Sequence, residues 1–455
     1  MIKENNNMIT EGRLLLSIVK YFIPILLGGL FQHSYSLVDA LIIGNYAGAS
    51  ALAAIDAPYA YIKLLINTFI ALSAGSSIVI AQNYGANRKD DVKGAVNGIM
   101  IFSVIGGLII SIIGVLLTPQ FVEIMLVPKD IVDMCNTYMR IYFSGSIFVF
   151  LYNMSSSSLR AIGDSKRPFY YLVFSSMMNI ILDLVFVAGL KMGVGGAALA
   201  TVISQGFSVV LILLRMRSQY GFFIIEKINY SSSLRNLKLS LKLGLPMAFQ
   251  SILFSVSNMY MQRGINSFGT SSIAGWSICG KSDFLVWSLS ETFGVAVCTF
   301  VAQNYGAKKI KRTYAAVFHS LWLSLISIGL ISVVLYLVIG KISSLFTNDL
   351  SAIKYAVYLM QIVAPFYIIY AIGEIFAGAI KGYGQTLAPM IVTLLGTCLF
   401  RIGWILYITP LKPDIKTVIL GYPLSWIVTT LLMIGVYVVY KKLLKGEKDI
   451  IEIET

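Results

Sequence analysis

Twelve apolar runs, each about twenty residues or longer, follow one another along this 455-residue chain. A helix rises 1.5 Å per residue, so a run of that length crosses the roughly 30 Å hydrocarbon layer of a bilayer. The runs fall at about 14–44, 51–82, 94–118, 131–160, 168–189, 194–215, 239–266, 271–301, 313–340, 352–380, 387–409 and 415–440. Only 12% of residues are charged and 57% are hydrophobic, against about 25% charged in ordinary soluble domains. The runs are too long and too uniformly apolar for the alternating strands of an outer-membrane barrel. The expected fold is an all-α membrane protein of 12 transmembrane helices. No small-residue cleavage site follows the first run, so that run reads as a retained helix and not a signal peptide.

The net charge of +14 would point to nucleic acid in a soluble protein. Here the basic residues gather in alternate breaks. Arg88, Lys89 and Lys93 follow span two; Arg160, Lys166 and Arg167 follow span four; Lys308, Lys309, Lys311 and Arg312 follow span eight. The break after span six is the longest and holds Arg215, Arg217, Lys227, Arg235, Lys238 and Lys242. Positive charge marks the cytoplasmic side, which puts both termini there. It assigns the lipid bilayer, and not nucleic acid, as the surrounding partner. The long basic break reads as a cytoplasmic linker, 216–238, between lobes 1–215 and 239–455.

The chain repeats itself. AQNYGA occurs at 81–86 and again at 302–307, an offset of 221. The same offset relates RAIGDSKRP, starting at Arg160, to KGYGQTLAP, starting at Lys381, and Pro24 and Pro246 are offset by 222. Each copy holds six spans. An even number keeps both copies in one orientation, so the repeat is parallel, with two pseudo-symmetric six-helix lobes and an arrangement suited to alternating access about a midline cavity.

Several residues break the apolar pattern. Asp39 lies near the far end of span one, Asp183 about as far from the outer end of span five, and Asn179 one turn before it. Thr201 lies about seven residues into span six, and all four share a depth within roughly 10 Å of the outer surface. An intramembrane carboxylate marks a functional site by default. Two at one depth can share a proton or hold a cation, with amide and hydroxyl oxygens completing the shell. Tyr35 and Gln32 lie near the Asp39 face, and Pro24 removes a backbone donor and lets the helix bend. Glu291 and Glu374 are further intramembrane acids able to touch a cationic substrate. Gly378 and Gly382 follow Glu374 as a small-residue face for close packing. Arg401 is expected to pair with an acid or cap a helix. In the second half the position equivalent to Asp183 is Trp404, so the halves differ chemically.

The four cysteines are scattered and the two histidines lie far apart, so no zinc or haem site is expected and the thiols read as free. GWSICGKS at 275–282 fits a phosphate-loop pattern, yet it sits in an apolar helical run with no preceding strand, and nucleotide binding is rejected. No catalytic motif or soluble domain appears, so the chain is not expected to be an enzyme.

These features together resemble the multidrug and toxic compound extrusion (MATE) family: the parallel six-plus-six repeat, VDALIIGNYAGASALAA after span one, the paired AQNYGA, and RAIGDSKRP with KGYGQTLAP. The resemblance implies antiport that exports amphipathic, often cationic drugs and dyes against inward H+ or Na+. It implies no cofactor, a monomer in the cell membrane, and a part in xenobiotic transport and antibiotic resistance. In one branch the ion site lies in the N-terminal lobe, and Asp39, Asn179, Asp183 and Thr201 match it, with any Na+ at Asp39/Asp183. Pro24 then matches the bending proline, and Gln32 and Tyr35 line the cavity. In another branch acids on helices seven and ten bind the ion; here those positions are Gln250 and Tyr370. The alternative function is a flippase for lipid-linked oligosaccharide, which would line its cavity with basic residues.

Overall fold

The computed structural model describes residues 8–222 and 229–453. Helices make up nearly all of them, and no strand occurs among the described residues. The first half runs α1 (Leu14–Tyr46), α2 (Ala49–Asp56), α3 (Tyr59–Gly85), α4 (Lys89–Ile124), α5 (Val132–Ser144), α6 (Ser146–Ala161), α7 (Lys166–Asp183) and α8 (Gly193–Arg215). The second runs α9 (Tyr230–Asn266), α10 (Thr270–Ser282), α11 (Phe284–Gly306), α12 (Ile310–Phe346), α13 (Leu350–Val363), α14 (Tyr367–Gly382), α15 (Leu387–Thr393), α16 (Phe400–Gly403) and α17 (Ile415–Ile453). Among the described residues, eleven helical stretches are long and apolar enough to cross a membrane. The remaining expected span, 131–160, is present as α5 and α6, interrupted at Gly145. There a Cβ would lie 2.4 Å from the Val202 side chain, so α8 closes against the interruption.

The repeat holds in the backbone. Adding 221 to Ser146–Ala161 gives Tyr367–Gly382, the bounds of α6 and α14. Left-handed residues recur at the same offset: Asn87 (φ 58°) and Lys308 (φ 58°), Gly163 (φ 95°) and Gly384 (φ 87°). The last pair falls in RAIGDSKRP and KGYGQTLAP, where a glycine without Cβ lets the chain turn left-handed after its helix. In the first of these turns Tyr220 Oη accepts from Arg167 Nη1 at 2.8 Å and donates to Asp164 Oδ2 at 2.9 Å, and Arg167 also pairs with Asp164.

Breaks also occur within other expected spans. Span two parts at Ala57–Pro58, where proline supplies no N–H. Span eight parts at Asp283, whose backbone (φ −91°, ψ 3°) belongs to neither α10 nor α11. Discontinuous helices of this kind commonly form ion and substrate sites in transporters.

The chain forms two compact units, residues 1–11 with 20–248, and residues 12–19 with 249–455. This differs from lobes of 1–215 and 239–455 joined by a linker at 216–238. After α8 a π-helical turn continues to Tyr220, and α9 begins at Tyr230. Lys227 lies outside the described residues. The start of α9 packs into the first unit through small residues. A Cβ on Gly75 would lie 2.3 Å from Gly244 N, one on Gly244 would lie 2.6 Å from Leu72 O, and one on Gly98 would lie 2.5 Å from Ser233 O. Arg235 Nη2 meets Asp91 Oδ1 at 2.5 Å. Charge made this stretch look like a linker; the glycines of α3 and α4 make it part of a packed helix.

In the second unit α14 lies close on α11. A Cβ on Gly378 would lie 2.6 Å from Gly294 O, and one on Gly382 would lie 2.7 Å from Cys298 O. The small-residue face after Glu374 therefore does what the sequence pattern predicts.

Candidate functional site

Asp183 is the last residue of α7, and the next turn, Leu184–Gly189, is π-helical. A π turn carries an extra residue and is common at functional sites. It follows two buried polar side chains of this helix, Asn179 (3% exposed) and Asp183 (0%). Asp39 on α1 meets them. The Asp39 and Asp183 carboxyls lie within hydrogen-bonding reach of each other. Asp39 Oδ1, both Asp183 oxygens and both amide atoms of Asn179 are buried with no hydrogen-bond partner from an N–H or hydroxyl group. Buried polar groups are nearly always satisfied. Two carboxyls in contact with no donor beside them can persist only by sharing a proton or by holding a cation. Apolar residues surround the place: Ile42, Ile43, Met139, Phe143 and Val187 belong to one buried cluster.

The other expected partners are placed differently. Thr201 donates its hydroxyl to Ala197 O at 3.1 Å, within its own helix, which leaves its oxygen lone pairs as all it can offer an ion. Gln32 is exposed and Tyr35 half-buried. Tyr138 on α5 lies within electrostatic reach of Asp39, Asp183 and Tyr35, and belongs to the site although nothing in the pattern of span four marks it. Pro24 lies inside the continuous helix α1. Three residues before it, the buried Tyr21 donates to Arg160 O at 3.0 Å, so the segment before the proline is anchored.

In the second unit Tyr370 sits within electrostatic reach of both Glu291 and Glu374, and its hydroxyl donates to Glu374 Oε1 at 3.5 Å. The ring stacks edge-on against Trp287 at 4.9 Å and tilts on Trp426 at 5.6 Å. The two glutamates thus flank one aromatic group. Gln250 donates to Thr393 Oγ1 at 2.8 Å. Arg401 meets neither expectation. It is fully buried, donates to Ser425 Oγ at 2.9 Å and Asn258 Oδ1 at 2.8 Å, and lies over the Tyr422 ring at 4.5 Å. Among the described residues it forms no ion pair with an acid. Ring faces and neutral oxygens take the place of an acid. Asp283, which the hydropathy pattern hides, is 4% exposed and accepts from Tyr367 Oη at 2.6 Å.

A family model described as MatE matches residues 24–185 and 246–405, one segment in each half. The probable multidrug resistance protein YoeA of Bacillus subtilis is 29% identical over 93% of this chain and 93% of its own length. The probable multidrug resistance protein NorM of Thermotoga maritima is 24% identical over 83% and 82%. Among solved structures, a MATE protein in a bent conformation superposes with a TM-score of 0.91 at 20% identity, over 98% of this chain and 99% of that one. A MOP superfamily transporter from Pyrococcus furiosus superposes at 0.89 with 21% identity, over 97% and 99%. These likenesses establish the fold as that of twelve transmembrane helices in two lobes.

Proposed function

The chain belongs to the MatE family, and from that premise we propose that it is a cation-coupled antiporter exporting amphipathic, often cationic drugs by alternating access. The observation that carries the reading is the Asp39–Asp183 contact, in which Asp183 is fully buried and Asp39 Oδ1 and both Asp183 oxygens have no hydrogen-bond donor. A proton or a sodium ion entering there removes the repulsion between the two carboxylates. At an effective dielectric of about 20, two unit charges about 4 Å apart repel by about 4 kcal/mol, ample to bias a two-state equilibrium. α1 carries Asp39 and is anchored before Pro24, so relief at one end bends the helix at the proline. The ion must bind the two states unequally for this to drive export. Glu291 and Glu374 around Tyr370 supply the negative, aromatic surface that a substrate cation seeks. The protein works as a monomer in the cell membrane with both termini in the cytoplasm, and it uses no cofactor besides the coupling ion.

The test is dye efflux from sealed vesicles, driven by a proton gradient and then by a sodium gradient. Asp39→Asn and Asp183→Asn each abolish export under the gradient that drives the native protein. Efflux that survives both substitutions refutes the mechanism, and the effective gradient identifies the ion.

A further inference from the structure

A second titratable place lies within the second unit. Asp283 occupies the break between α10 and α11 and is buried, 4% exposed. Oδ2 accepts from the Tyr367 hydroxyl, while Oδ1 is buried with no hydrogen-bond partner. In the first unit the acid next to the corresponding break, Asp56 at the end of α2, is exposed. Among the described residues Asp283 forms no ion pair.

The groups facing it from each packed helix are few. α10 supplies the Cys279 thiol, which donates to Ala356 O on α13 at 3.3 Å. Tyr367 opens α14, and its hydroxyl also touches Met360 Sδ at 3.8 Å. α17 supplies Tyr422, which stands within electrostatic reach of both Asp283 and Arg401. Trp287 comes from α11 itself, and its indole lies within hydrogen-bonding reach of the carboxyl. A hard cation such as Na+ wants about six oxygen ligands; this shell offers a phenol, a thiol, a thioether and indoles. A proton needs no such shell and would give Oδ1 the hydrogen it lacks.

We propose that Asp283 is a proton-binding site of the second unit, separate from the Asp39–Asp183 pair, which takes and releases a proton at the break in the eighth span. The phenol of Tyr367 positions the carboxyl. The proposal does not depend on how the pair in the first unit works.

All five tryptophans lie at or beyond residue 276, and Trp287 and Trp426 flank Tyr367 at 6.2 and 5.7 Å between ring centroids. Tryptophan emission therefore reports on this unit alone. Purified protein in detergent, titrated from alkaline to acid pH, is expected to show an emission step that Asp283→Asn removes and whose midpoint Tyr367→Phe displaces. The step is expected to persist in the Asp39→Asn, Asp183→Asn double variant, and exchanging K+ for Na+ at constant pH is expected to leave emission unchanged. Absence of a step in the native protein, its survival in Asp283→Asn, or its loss in the double variant overturns the proposal. A sodium-induced change that Asp283→Asn removes overturns it in favour of a metal site. Should Asp283→Asn not fold, an unchanged midpoint in Tyr367→Phe overturns it equally.

Discussion

The contact between α11 and α14 sets a quantitative expectation for Gly378→Ala. The added Cβ would lie 2.6 Å from Gly294 O, where ordinary contact begins near 3.4 Å, so the helices must part by about 0.8 Å or the backbone must bend. The other close point, Gly382 against Cys298 O, lies one turn on, and the helix cannot move at one without moving at both. Overpacking of this size costs about 1–3 kcal/mol. For a unit of about 200 residues each kcal/mol lowers the melting temperature by about 2–4 °C. Scanning fluorimetry in detergent should show that fall. Gly435→Ala is the control: nothing lies within 4 Å of its Cβ, and alanine is the better helix former by about 1 kcal/mol, so its melting temperature should hold or rise. If the two variants melt alike, close packing of α14 on α11 is not what holds this unit together.

Pro24→Ala restores a backbone donor inside α1 and should leave the protein folded while reducing dye efflux; full efflux would remove the bend from the mechanism. Tyr21→Phe deletes the hydroxyl that reaches Arg160 O and should lower thermal stability by the equivalent of about 1 kcal/mol, read by the same fluorimetry. Arg401→Lys cannot keep the Ser425 and Asn258 bonds together with the stack on Tyr422; its melting temperature should drop, and an unchanged one would show that the guanidinium plane is immaterial. Gly294→Ala would place a Cβ 3.3 Å from Glu374 Oε2, shifting that carboxylate slightly, and should change the apparent affinity for cationic dyes without loss of fold.

Much of this molecule could be read from its residues because a bilayer punishes irregularity. Run lengths gave the spans, and one hexapeptide found twice gave the repeat, which the left-handed residues Asn87 and Lys308 follow. Asp39 and Asp183 could be paired because helix rise converts sequence position into depth. Depth alone leaves azimuth open, which is why Thr201 could be matched in height without its bonding to Ala197 O being foreseen, and why Tyr138 was missed. The breaks at Pro58 and Asp283 were hidden by hydropathy that continues across them. The arginines and lysines of 230–242 ride on a helix whose small-residue contacts no charge count can register.

That helix has a consequence for how the chain assembles. Residues 230–248 of the second copy complete the first unit, and residues 12–19 of the first copy belong to the second. Each half of the gene therefore encodes a fold that is finished by the other's leading arm. A chain severed between 222 and 230 should accordingly yield fragments that regain structure only when made together.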